Sequence, residues 1–193
     1  MNYSLVLKIA LAVILVLLIV VGCLARGGSS MAGFEVSDYE SALSAHQGNV
    51  EGIELGLESF SESYSDLTRD DLGQRIEALY AEELYFNDTI HTFRSRDELR
   101  DYMVKTGKGL DESIVEVHQV IRDGMDVFVR WTMDFKTSVA GKKIHSKSIG
   151  MTQLRFNEEG QIILHQDFWD SGGALYAHLP VVGFVVRSAR NQM

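Results

Sequence analysis

The chain has 193 residues, a formal net charge of −9 and 46% hydrophobic residues, enough for one domain with a core of its own. So acidic a balance excludes the usual nucleic-acid binder, whose phosphate contacts need clustered Lys and Arg. A single Cys excludes an internal disulfide framework, no Cys/His spacing matches a structural zinc site, and one Pro without long Gly/Ser or charge runs argues against extended disorder.

The first feature along the chain is an apolar run, Ile9 to Gly22, preceded by Lys8. Its fourteen residues fall short of the about 20 that span a membrane and fit the about 7–15 of a signal-peptide apolar region. At its end stands Val20-Val21-Gly22-Cys23, which resembles the lipobox of bacterial lipoproteins. Small residues before the cut let a peptidase approach the backbone, and the thiol of Cys23 would take the lipid. The resemblance implies that residues 1–22 are a signal peptide and that Cys23 is the lipidation site. It also implies an address in a bacterial cell envelope, membrane-anchored and facing the periplasm. Two other readings stay open. Counted from Leu5 to Ala25, with Lys8 snorkelling, the segment reaches the length of an uncleaved single-pass anchor; alternatively, Met31 is the true start.

Residues 23–49 read as a tether, Arg26 to Gly33, followed by a short helix whose cap is predicted at Ser37-x-x-Glu40. Val50, Ile53, Leu57, Phe60, Tyr64 and Leu67 then recur at helical spacing. Thr68-x-x-Asp71 predicts a fresh cap for a second helix with Leu72, Ile76, Leu79 and Tyr80 inward. A short strand, Leu84 to Asp88, precedes a third helix capped at Ser95-Arg-Asp-Glu98 and ending near Gly107-Lys-Gly109. From residue 113 the period changes to alternation. Strands are predicted over Ser113–Arg122, Asp126–Lys136, Ile144–Asn157 and Ile162–Asp170, with turns at Asp123-Gly124 and Glu158-Glu-Gly160. Helices first and a strand meander after them make an α+β layout.

In this order the chain resembles the SnoaL-like branch of the nuclear transport factor 2-like superfamily, over roughly residues 50–172. The resemblance rests on the long helix, the strand ending in Tyr85-Phe-Asn-Asp88, the stretch Arg94 to Glu98 before the third helix, and the closing strand His165-Gln-Asp-Phe-Trp-Asp170. It implies a curved antiparallel sheet wrapped by N-terminal helices into a cone, a cystatin-like roll with an apolar pocket inside the curve. It also implies a homodimer. The family includes ketosteroid isomerase, limonene epoxide hydrolase, scytalone dehydratase and polyketide cyclases, beside many binding and assembly modules, so the fold says little about activity.

Enzymes of this kind move protons in an apolar cavity, where desolvation raises a carboxylate's affinity for a proton. Asp167, His165, Asp88 and His91 are the candidates for such chemistry: His165, Asp167 and Trp169 alternate onto one face, and His91 lies three residues after Asp88. Tyr64, Trp131, Met133 and Trp169 are the expected pocket wall, and Arg130 falls on the face opposite Trp131. For Asp88 a turn, and for His165 and Asp167 a buried structural pair, are the competing explanations. His118 and His145, among charged neighbours, are expected on a solvated face. No metal and no cofactor are expected, since neither a ligand cluster nor a phosphate loop or nucleophile elbow is present. Residues 173–193 form an apolar and basic tail that fits a pocket plug, a dimer contact or a membrane surface. With no fixed catalytic constellation in view, the reading is a membrane-anchored module that binds a small apolar ligand or a partner without catalysis. The alternative is a cofactor-independent isomerase, dehydratase or epoxide hydrolase working through Asp/His acid–base chemistry.

Overall fold

The computed structural model describes residues 35–139, 141–179 and 181–192. The apolar run, Cys23 and the Gly/Ser tether lie outside the described residues. Three helices come first: α1 (Val36–Ala45), α2 (Ile53–Tyr64) and α3 (Leu72–Leu79). They are followed by β1 (Tyr80–Asn87), β2 (Thr92–Ser95) and α4 (Arg96–Lys108). Four strands then run in sequence: β3 (Leu110–Asp123), β4 (Asp126–Val139), β5 (Lys142–Phe156) and β6 (Ile162–Trp169). A single turn of helix, α5 (Ser171–Ala174), a 3-10 turn (Tyr176–His178) and α6 (Val182–Gln192) follow.

The strands form one curved sheet in the order β2-β1-β6-β5-β4-β3. From β3 to β6 it is the antiparallel meander that the turn residues predict, with Gly124 at φ 59 in the β3–β4 turn. One pair departs from the antiparallel expectation: β1 runs parallel to β6. The last strand thereby lies inside the sheet, bonded on both edges.

Alternation gives the sheet two chemically different faces. The inner face carries Val127, Val129, Leu154 and Phe156, and packs with Ile53, Leu57 and Phe60 of α2, Ile76 of α3 and Leu99 of α4 in one core. The outer face is partly covered by α1, where Ala42, Tyr39 and Leu43 pack on Tyr85 and Leu164. His118 and His145 are on the outer face and exposed, hydrogen-bonded to Thr132 and Asp134.

Two helix starts differ from the sequence reading. α1 begins at Val36, so Ser37 sits inside its first turn and caps nothing. α3 begins at Leu72 rather than after Thr68, because Asp66 accepts both the amide and the hydroxyl of Thr68 in a turn that holds the chain outside the helix. Tyr80, expected on the inward face of α3, is the first residue of β1.

Candidate active site

Between the inner face of the sheet and the helices lies a cavity of about 210 Å³, whose wall surface is almost all apolar. Trp131, Met133 and Phe135 of β4 line one side, and Phe60 and Tyr64 of α2 face them. Trp169, at the end of β6, and Leu175, just beyond α5, also border it, with Phe86 of β1 and Met103 of α4. The four residues expected as pocket wall, Tyr64, Trp131, Met133 and Trp169, all border this cavity. Arg130 points to the opposite face and reaches only Gln119.

His165 and Asp167 enter the cavity from β6 because of an irregularity in the strand. Phe156 pairs with Ile162 while Arg155 pairs with Leu164, so Ile163 is an extra residue. The bulge reverses the alternation, turning Leu164 outward onto α1 and His165 inward. His165 is 1% exposed and Asp167 16%.

These two residues belong to a hydrogen-bonded chain that crosses the cavity floor. Trp131 Nε1 donates to Thr152 Oγ1 at 2.8 Å, and Thr152 Oγ1 donates to Asp167 Oδ1 at 2.5 Å. His165 Nε2 is 3.0 Å from the same carboxylate oxygen, and its Nδ1 is 2.8 Å from the Tyr80 hydroxyl. Tyr80 in turn is 2.5 Å from the hydroxyl of Tyr64. Donor and acceptor chemistry orients the whole chain. An indole N–H only donates, so the Thr152 proton goes to Asp167, which accepts as a carboxylate. With a neutral imidazole, the network assigns the proton to Nε2, donating to Asp167, and leaves Nδ1 to accept from Tyr80. Tyr64 then donates to Tyr80. Burial pushes both tyrosine hydroxyls well above their ordinary pKa, so both are protonated donors at neutral pH. Among the described residues no group hydrogen-bonds Asp167 Oδ2, which is not buried and belongs to a residue of the cavity wall.

Asp88 also borders the cavity, and its hydrogen bonds lie within and around the β1–β2 turn. Its Oδ1 accepts the backbone amides of Ile90 and His91, its Oδ2 accepts the Tyr102 hydroxyl at 2.5 Å, and its carbonyl takes Trp169 Nε1. All these bonds fasten the β1–β2 turn, in which Thr89 adopts φ 73. Burial and the adjacent Asp88 carboxylate raise the Tyr102 pKa. The side chain of His91 is exposed, stacks against Phe93 and tilts against Tyr102, and does not border the cavity. Asp88 and His91 therefore share a turn rather than a side-chain dyad, whereas His165 and Asp167 are joined. Sequence reasoning did not single out Thr152, Tyr80 or Tyr102. Thr152 carried a signal, because it falls two residues from the core position Leu154 on an alternating strand. Tyr80 carried none, since the helical period of α3 runs straight into it. Among the described residues no group of three His, Cys, Asp or Glu is placed to hold a metal ion.

A curved six-stranded sheet with helices over its inner face and a polar chain in an apolar hollow is the build of a nuclear transport factor 2-like domain. A SnoaL-like domain model matches residues 60–165, more than half of the chain. The chain belongs to the SnoaL-like family. In structure it is similar to a candidate SnoaL-like polyketide cyclase from Shewanella denitrificans, at 15% identity and TM-score 0.53, over 72% of this chain and 97% of that one. A phenazine biosynthesis-related protein from Pseudomonas aeruginosa matches at 17% identity and TM-score 0.53, over 68% and 91%. An NTF2-like protein of unknown function from Exiguobacterium matches at 15% identity and TM-score 0.51, over 60% and 98%. At these identities the likeness is one of fold. No curated protein matches the chain in sequence.

Proposed function

We propose that this protein is a cofactor-independent enzyme that moves a proton on a small, largely apolar molecule, with Asp167 as the base. The observation that supports this reading is the free Oδ2 of Asp167 beside an apolar cavity, on a carboxylate whose other oxygen is held by His165 and Thr152. In the proposed step, Oδ2 removes a proton from the carbon next to a carbonyl group of the bound molecule, and the same carboxyl returns a proton to carbon of the resulting enolate. His165 and Thr152 are positioning residues that fix the carboxylate plane, and Tyr80 fixes the imidazole tautomer. Tyr64, donating to Tyr80, keeps its oxygen lone pairs available to accept from a hydroxyl of the substrate. A cavity of about 150 Å³ holds benzene, so 210 Å³ fits a one-ring or short-chain molecule within the walls.

In the same reading the enzyme is held at a bacterial envelope membrane through its N-terminus. The apolar run Ile9–Gly22 and the lipobox-like Val20-Val21-Gly22-Cys23 support this. An intact mass, from native membranes, that begins at acylated Cys23 is the expected result, and an unprocessed chain would replace the lipid with an anchor.

The chemistry is tested by incubating the protein in heavy water with a panel of one-ring ketones and enones and following deuterium incorporation next to the carbonyl by NMR. The wild-type chain is expected to exceed the buffer rate, and Asp167→Asn to lose about 10²–10⁴-fold of that excess while calorimetry still detects binding. Exchange no faster than buffer across the panel, or equal rates for wild type and Asp167→Asn, would overturn the enzyme reading and leave a binding module.

A further inference from the structure

Helix α6 is attached to the domain the wrong way round for a soluble protein. Gly183 is its one buried residue. A Cβ there would stand 2.3 Å from the carbonyl oxygen of Ala177, so the helix backbone itself rests on the 3-10 turn. Arg187 donates to that same carbonyl, and Arg190 reaches both oxygens of Asp170 at 2.5 and 2.6 Å. Gly183 thus seats the helix, and Arg187 and Arg190 tie it down from the same side while staying exposed themselves. Val181, Val182, Phe184 and Val185 are left 82%, 45%, 70% and 60% exposed. A surface helix of a water-soluble domain ordinarily shows the reverse, apolar in and charged out.

We propose that this outward face lies in the headgroup layer of a lipid bilayer, as a second membrane contact for a protein already tethered by its N-terminus. The inference rests on the membrane attachment proposed above. Charge supports a bilayer as the occupant: Arg187 and Arg190 are both exposed beside the apolar face, and of the two only Arg190 has a carboxylate partner, Asp170, among the described residues. An anionic lipid surface attracts exposed cations beside an apolar face. Chain length also supports it. Eleven residues separate Cys23 from Glu35, where the described structure begins, and twelve steps of extended chain reach about 40 Å at most. A helix with so few apolar residues binds a membrane weakly from solution, but a short tether raises its effective concentration at the surface to the millimolar range. Leu175, from the same C-terminal segment, forms part of the cavity wall.

The test uses the full chain purified from native membranes, reconstituted into vesicles of phosphatidylcholine with a minority of phosphatidylglycerol. The vesicles carry a phospholipid bearing a photoactivatable diazirine, and adducts are mapped by mass spectrometry. Adducts are expected on Val181–Val185 as well as on the N-terminal peptide. Phe184→Asp, with its near-ultraviolet dichroism unchanged, is expected to lower the C-terminal adducts about tenfold or more while the N-terminal ones persist. N-terminal adducts without any on Val181–Val185 would overturn this proposal alone. Absence of both would remove the membrane attachment and this contact with it. Cross-links from Val181–Val185 to a second copy, in place of lipid, would overturn it in favour of a dimer face.

Discussion

Gly56→Ala sets two well-calibrated effects against each other. In the interior of a helix such as α2, Ala is better than Gly by about 1 kcal/mol, so the local term favours the substitution. The surroundings oppose it. The new Cβ would lie 2.2 and 2.4 Å from ring carbons of Phe156 and 2.8 Å from the Gly160 carbonyl oxygen. Phe156 is fully buried in the core and has nowhere to turn, so α2 itself must lift off the sheet. Overpacking of this kind costs about 1–3 kcal/mol, and a contact more than 1 Å inside normal separation belongs at or above the top of that range. The net expectation is a loss of about 2 kcal/mol, read as a melting temperature lowered by about 4–8 °C in a domain of this size. The same displacement pulls Tyr64 away from Tyr80, a bond of 2.5 Å with no slack, so affinity for cavity ligands should fall with stability. Gly73→Ala in α3 is the control. Its nearest neighbours are a Val104 methyl at 3.2 Å and Arg100 at 3.8 Å, and it should be neutral or slightly stabilising. Thermal and urea unfolding followed by circular dichroism decide the matter. If Gly56→Ala melts as high as wild type, α2 is not seated on Phe156, and the placement of Tyr64 in the cavity falls with it.

Thr152→Val keeps the shape but removes the acceptor of Trp131 Nε1 and one donor to Asp167. It should cost about 1–3 kcal/mol in urea unfolding, and an unchanged midpoint would show that the chain across the cavity floor contributes nothing. Burial pushes the Asp126 carboxyl up, but the hydrogen bonds from Arg155 and Gln153 outweigh it and hold the group below its ordinary range. A depressed native pKa gives stability that is full above the unfolded value of about 3.9 and disappears as pH falls through the native one. Asp126→Asn, which leaves the buried Arg155 its carbonyl acceptors Leu43 and His46 but removes its carboxylate, should cost about 1.5–3 kcal/mol at neutral pH and flatten the acid limb of the stability curve. For the tyrosines the sign is opposite. Burial raises Tyr64, Tyr80 and Tyr102, and pushes Tyr85 up to about 12, so their contribution is full below about pH 10 and is lost as pH rises through the native values. Ultraviolet titration should show these four hydroxyls still protonated at about pH 10.5 and releasing their protons together with unfolding. Early release would place them in water.

Where one face of an element meets one environment, the residues announce the structure. β4 is the clear case: Val127 to Phe135 alternate without interruption, and the face they define is the core at one end and the cavity wall at the other. β6 was half legible. The common face of His165, Asp167 and Trp169 follows from period two, but its inward direction depends on the bulge at Ile163, which only pairing with β5 produces. β2, the four residues Thr92–Ser95, has neither alternation nor full burial, and nothing local distinguishes it from a loop. The parallel join of β1 and β6 is set by tertiary packing alone. So is the contact between Tyr64 and Tyr80, which needs α2 and β1 to meet across the core. Asp88, a candidate base by its sequence position, borders the cavity and also holds the β1–β2 turn, a second task that the sequence does not announce.

The parallel seam between β1 and β6 has a consequence for how the molecule comes into being. β1 leaves the ribosome early, and β2 can cover one of its edges at once. Its other edge has to wait for residues 162–169, the last strand to be made. Until then Leu84 and Phe86 stand beside an unsatisfied row of backbone groups, the kind of edge that recruits wrong partners. The strand that closes the gap is also the one that delivers His165 and Asp167. Completion of the sheet and arrival of the His165–Asp167 pair are therefore one event, and a chain cut short before residue 162 has neither the full sheet nor that pair.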